Sequence, residues 1–111
     1  MELYYDSRAM QKACTSEREM RKKWGQVTAK TLQRRLTELE NAPTLEDMRR
    51  LPAANCHELS GDRKGQLAVN LDQPRRLVFR PNHDPIPLKA DGGLDWSAVT
   101  SVIIQEVVDY H

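Results

Sequence analysis

Histidine, arginine and carboxylate side chains recur in this chain at positions that two adjacent strands could bring to one surface. Side chains alternate across a strand. In the segment 75–80, Arg76, Val78 and Arg80 therefore point opposite to Arg75, Leu77 and Phe79. In the segment 101–111, simple alternation puts Ile103, Gln105, Val107, Asp109 and His111 on one face, and Val102, Ile104, Glu106, Val108 and Tyr110 on the other. The expected gathering is Arg76, Arg80, Asp109 and His111, with His57 joining from a short strand of its own.

Such a set could cut RNA without a metal. A general base takes the proton of the 2′-hydroxyl, the oxygen attacks the adjacent phosphorus, and a general acid protonates the leaving 5′-oxygen. Histidine suits both transfers because its pKa lies near neutrality. Arginine can hold the phosphoryl oxygens bidentately as negative charge grows on them. Taken alone, a histidine is as readily a structural or exposed side chain, and a closing Asp109-Tyr110-His111 is as readily a solvated tail.

The elements that must position these groups can be read from periodicity. Leu3-Tyr4-Tyr5 suggests an edge strand, and a helical turn or two follows over 7–13. Ser16 with Glu19 has the form of a capping box. Met20 and Trp24 then share a helix face, Gly25 interrupts, and Val27, Leu32, Leu36 and Leu39 resume a core-facing stripe that stops before Pro43. Thr44 and Asp47 open another short helix, which Pro52 ends. Beyond it the pattern changes. Cys56–Leu59 is a short strand, and Gln66–Leu71 alternates as a half-buried strand does. After a turn at Asp72-Gln73-Pro74, Arg75–Arg80 forms the second hairpin strand. Residues 81–98, with three prolines and two glycines, are irregular, and Val99–Val108 is the central strand. The expected fold is α+β: N-terminal helices packed on one face of a small, twisted, mainly antiparallel sheet, in a single domain over 1–111.

The 111 residues suffice for one modest core. Net charge is only +1, but residues 1–80 hold all but one of the 17 Lys and Arg. Basic clusters of this kind can follow a phosphate backbone, although on a helix they more simply solvate its outer face. No stretch reaches the roughly 18 apolar residues of a membrane helix. Residues 1–6 lack the basic head and apolar run of a secretory leader, so the cytoplasm is the expected compartment. Cys14 and Cys56 are expected to be partly buried thiols rather than a disulfide.

Three segments together resemble a known family. They are Cys56-His57-Glu58-Leu59-Ser60-Gly61-Asp62-Arg63-Lys64-Gly65, then Pro74-Arg75-Arg76-Leu77-Val78-Phe79, then Glu106-Val107-Val108-Asp109-Tyr110-His111. They resemble the HigB-type (host inhibition of growth) branch of the RelE/ParE toxin superfamily, whose pattern is L-H-x-L-x-G-D-R-x-G, W/Y-R-L-x-F and a closing D-Y-H. The resemblance extends to the preceding helices. It implies the toxin of a type II toxin–antitoxin pair: a ribosome-dependent, metal-independent messenger-RNA endoribonuclease, needing no cofactor and neutralised by a HigA-like helix-turn-helix antitoxin. Its further partners would be the translating ribosome and mRNA, and DNA only through the antitoxin. Carried over residue by residue, it implies catalytic roles for His57, Arg76, Asp109, Tyr110 and His111. His57 and His111 would transfer protons, Arg76 would hold the phosphate, and Asp109 would orient a histidine or assist as base. Arg63, Lys64 and Arg80 are the expected RNA-binding residues. Two features depart from the pattern. Leu67 stands where relatives often carry an aromatic, and 81–98 is longer than the usual connection. Within that loop, Trp96 is read as folding onto the core and His83 as solvent-exposed.

Two other readings keep much of this description. A ParE-like toxin would share the fold but act on DNA gyrase without cutting RNA. An inactive relative would serve only as a partner-binding module. The chain has no helix-turn-helix of its own, no Cys/His spacing of a zinc site and no phosphate-binding glycine loop.

Overall fold

A computed structural model describes residues 1–109. The expected α+β fold is observed. Strand β1 (Glu2–Tyr5) leads into helices α1 (Arg8–Thr15), α2 (Glu17–Trp24) and α3 (Gln26–Asn41), followed by a 3₁₀ helix over Leu45–Arg50. Strands β2 (His57–Glu58), β3 (Leu67–Asn70), β4 (Arg75–Pro81) and β5 (Ser101–Asp109) complete it.

Local chemistry accounts for the helix boundaries. Ser7 and Ser16 each accept a backbone N–H with their hydroxyls, from Met10 and Glu19, and so satisfy first-turn donors that have no partner inside the helix. Gly25, at φ +86°, takes the left-handed conformation that separates α2 from α3. Thr44 and Asp47 form a reciprocal capping box at the 3₁₀ helix.

The five strands are ordered β1-β5-β4-β3-β2. β1 runs parallel to β5, and every other pairing is antiparallel. The β-branched strand β5 is interior, between β1 and β4, but the middle strand is β4, not β5 as its composition suggests, because β1 alone covers the outer side of β5. One sheet face and the helices enclose the core. Met20, Leu32, Leu36 and Leu39 pack there with Leu67, Val69, Leu77, Phe79, Val102 and Ile104. Trp24 and Leu3 border it, whereas Val27, expected on the core-facing stripe, is exposed. Trp96 folds onto the same core at 5% exposure, with the Arg49 guanidinium 3.9 Å above its ring and its indole N–H on Glu58. Among the described residues no helix is long and apolar enough to cross a membrane.

One buried charge ties the layers together. Arg35 of α3, only 5% exposed, donates to the carbonyls of Asn70 and Ala53 and to the Glu38 carboxylate, at 2.7, 3.1 and 2.9 Å. The Asn70 N–H returns to the Ala54 carbonyl at 2.7 Å. The 53–55 segment is therefore clamped between α3 and the end of β3, immediately before β2 begins.

Candidate nucleic-acid interface on the second sheet face

Among the described residues, the sheet's second face carries no member of the main core cluster. Strand register places its side chains. His57, Ala68, Val78 and Glu106 form one row across β2, β3, β4 and β5. Asn70, Arg76 and Val108 form the next, and Arg80, Ile103 and Tyr4 form a row toward the β1 edge. Ala68 and Val78 are fully buried yet stand apart from the main core, as an apolar floor should. His57 and Arg76 sit two strands apart, roughly 10 Å in the pairing direction. They also stand in neighbouring rows, about 7 Å further along the strands, so the two backbones are roughly 12 Å apart.

The expected sharing of one face by Asp109 and Arg76 is not observed. A bulge between Val78 and Phe79 of β4 and the facing part of β5 puts one extra residue in β5. Ile104 and Val107 both pack toward the core, although they are three positions apart. Gln105 and Glu106 both turn to the second face between them, where they bond Gln66 and Arg63. Alternation is inverted beyond this point, so Val107 leaves the second face and Glu106 and Val108 join it. Asp109 pairs with Arg75, and its Oδ1 lies 3.3 Å from Arg75 Nε. Arg75 in turn donates to Thr28 of α3 at 2.6 Å and contacts Asp72 at 3.3 Å. Asp109 thus belongs to an ion-pair network on the helix side. Tyr110 and His111, expected in the catalytic group, lie outside the described residues.

His57 has a defined orientation. Its Nδ1 lies 2.7 Å from the Asn55 carbonyl oxygen. A carbonyl can only accept, so Nδ1 carries the proton and Nε2 keeps the lone pair in the neutral ring. Arg63 is held by Glu106 at 2.8 Å and by the Gln66 side-chain oxygen at 3.1 Å. Lys64 is exposed on the same turn. Arg80, 44% exposed, stands 3.9 Å from Asp6. His83 is half-buried rather than exposed, and its Nε2 accepts the Thr100 N–H at 3.0 Å. That bond occupies the lone pair a proton-transfer role would need.

Four polar residues of this face escaped the sequence reading. Gln105, Gln66 and Glu106 are joined through Arg63 in a chain of hydrogen bonds that reaches His57's row, and the bulge that turns Glu106 into it leaves no mark in the alternation. Tyr4, 50% exposed, presents an aromatic ring next to Arg80's row. Its phenol donates to Glu2, and that bond, with the charge behind it, holds the phenol pKa above the usual value. Parity could have found Tyr4, because Leu3 and Tyr5 are its core-facing neighbours.

The two cysteines are free. Burial pushes the Cys14 thiol up to about 11 and the Cys56 thiol up to about 12. Neither is a ready nucleophile at neutral pH.

Comparisons with family models, with curated proteins and with solved structures found no match to this chain.

Proposed function

We propose that this chain is the toxin of a type II toxin–antitoxin pair and a metal-independent endoribonuclease acting on mRNA in the translating ribosome. The observation that carries the reading is the second sheet face. An oriented histidine and two arginines stand there on one surface, over an apolar floor. His57 Nε2 takes the proton of a 2′-hydroxyl, breaking the O–H bond and forming N–H. The freed oxygen attacks phosphorus, and the P–O5′ bond breaks. The 5′-oxygen leaves with a proton from a general acid, assigned by the family resemblance to His111. The products are a 2′,3′-cyclic phosphate and a 5′-hydroxyl. Arg76 stabilises the phosphoryl oxygens, chiefly in the transition state. Arg80 and Lys64 hold flanking phosphates, and Arg63 joins them when it exchanges Glu106 for RNA. Asp109 braces the end of β5 through Arg75.

This reading includes a HigA-like antitoxin as neutralising partner, contact with DNA only through that antitoxin, and a cytoplasmic location. Growth arrest with cleaved messages on translating ribosomes, on expression of this chain alone, tests it.

One observation favours a second reading. Asp109, a member of the family's closing motif, is engaged by Arg75 away from His57 and Arg76. A ParE-like gyrase poison or an inactive partner-binding module would tolerate that placement. Growth arrest with intact messages and relaxed or broken DNA would support the gyrase reading. Antitoxin binding without arrest would support the module.

A further inference from the structure

Among the described residues, Asn55 is the only non-glycine with a positive φ, at +46°. That conformation disfavours most L-residues, and asparagine tolerates it better than nearly all others. It occurs at the end of the segment that Arg35 and Asn70 clamp through Ala53 and Ala54. A turn closes there, with the Ala54 N–H on Leu51 and the Asn55 N–H on Pro52. The chain then reverses into β2, and the Asn55 carbonyl meets the His57 ring two residues on.

We propose that Asn55 is a positioning residue: its left-handed backbone aims its carbonyl at His57 Nδ1, fixes the Nδ1–H tautomer and leaves the Nε2 lone pair as the proton acceptor offered to substrate. A free histidine side chain favours the opposite tautomer, with the proton on Nε2. In that form the outward nitrogen has no lone pair to accept a 2′-hydroxyl proton. The carbonyl therefore selects the competent form before substrate arrives, and it stays bonded to Nδ1–H when the ring becomes imidazolium. The buried Arg35 clamp keeps the carbonyl in place, so the fold's interior determines which nitrogen the surface presents. The use of Nε2 rests on the nuclease reading, but the tautomer does not.

The test is ¹⁵N-resolved NMR of the His57 ring in the whole chain, well above the histidine titration range. In the wild-type protein Nδ1 should give the pyrrole-type signal and Nε2 the pyridine-type signal. Asn55→Gly keeps both the carbonyl and the freedom to adopt positive φ, so it should retain that pattern. Asn55→Val, a β-branched residue poorly suited to positive φ, should shift the ring toward the Nε2–H pattern. Its cleavage rate constant should fall at least about tenfold with ribosome binding unchanged, because general-base catalysis contributes on the order of 10²–10⁴. Asn55→Gly should recover that loss. A wild-type ring protonated at Nε2, or a folded Asn55→Val protein that keeps Nδ1–H, overturns the inference. Should the valine variant not fold, the wild-type and glycine spectra still decide. If none of the proteins cleaves RNA but the tautomers follow this order, the nuclease reading fails and the positioning role stands.

Discussion

Asp109 stands across from Arg75, its carboxylate 3.3 Å from the guanidinium Nε, on the reverse side of the sheet from Arg76. One bulge separates these two arrangements. If the pair braces a strand end, Asp109→Asn should cost less than about 1 kcal/mol, since both partners are substantially exposed. It should also slow cleavage far less than Arg76→Ala does. Urea denaturation and single-turnover kinetics measure the two effects. A loss of cleavage equal to that of Arg76→Ala would return Asp109 to the reaction.

Arg35 supports the site from within. Its side chain is 7% exposed and bonds two backbone carbonyls and a carboxylate. Removing it leaves buried acceptors unpaired. Arg35→Met is expected to cost roughly 2–4 kcal/mol by chemical denaturation. Arg35→Lys should recover little, because an ammonium cannot reproduce the planar fork. A methionine variant within about 0.5 kcal/mol of wild type would show that the clamp is dispensable.

Much of the fold was legible in the sequence because its signals are local. Ser16 with Glu19, the break at Gly25, the capping box at Thr44 and Asp47, and the alternation of Leu67, Val69 and Leu71 each act within a few residues. The placements of Arg76 and Arg80 followed from parity within one strand, and His57 was expected to join them from a short strand of its own. The placement of Asp109 did not follow from parity, because its face depends on a bulge that exists only when β4 and β5 pair. Glu106 was missed for the same reason, whereas Gln66 and Gln105 stand where parity puts them and were missed because only the pairing of distant strands brings them together. Their hydrogen bonds join residues up to 43 positions apart. The role of Asn55 depends on a φ angle set by a clamp from α3, which nothing local in the segment 52–57 announces.

On the proposed reading, Glu106 would compete with RNA for Arg63, which it holds in the free protein. The carboxylate is half exposed and 2.8 Å from the guanidinium, on the face proposed to receive phosphates. Glu106→Gln should tighten RNA binding about two- to five-fold at low salt, the range of a surface charge pair, and the gain should shrink as salt screens it. Lys64→Ala should weaken binding and reduce the salt slope by about one charge. Fluorescence titrations of a short RNA at several salt concentrations report both. Weaker binding by Glu106→Gln would assign the carboxylate to RNA recognition instead.

The thiols give a pH signature. The ordinary cysteine value is 9.0, and burial raises Cys14 to about 11 and Cys56 to about 12 in the folded chain. The unfolded chain therefore releases these protons first as pH rises. Their contribution to stability is complete below about 9 and declines as pH climbs from there through about 11 and 12. Alkylation by iodoacetamide at pH 8 should be far slower than for a free thiol. A rate matching free cysteine in the folded protein would place a thiol in solvent.

The most direct measurement of the central claim is single-turnover cleavage of message on programmed ribosomes, comparing wild-type protein with His57→Ala and with EDTA present throughout. The nuclease reading predicts cleavage by wild type under chelation, products ending in a 2′,3′-cyclic or 3′-phosphate, and a loss on the order of 10²–10⁴ in the His57→Ala rate with the circular dichroism spectrum unchanged. Equal rates for the two proteins, or 5′-phosphate ends from a reaction that EDTA stops, would contradict it.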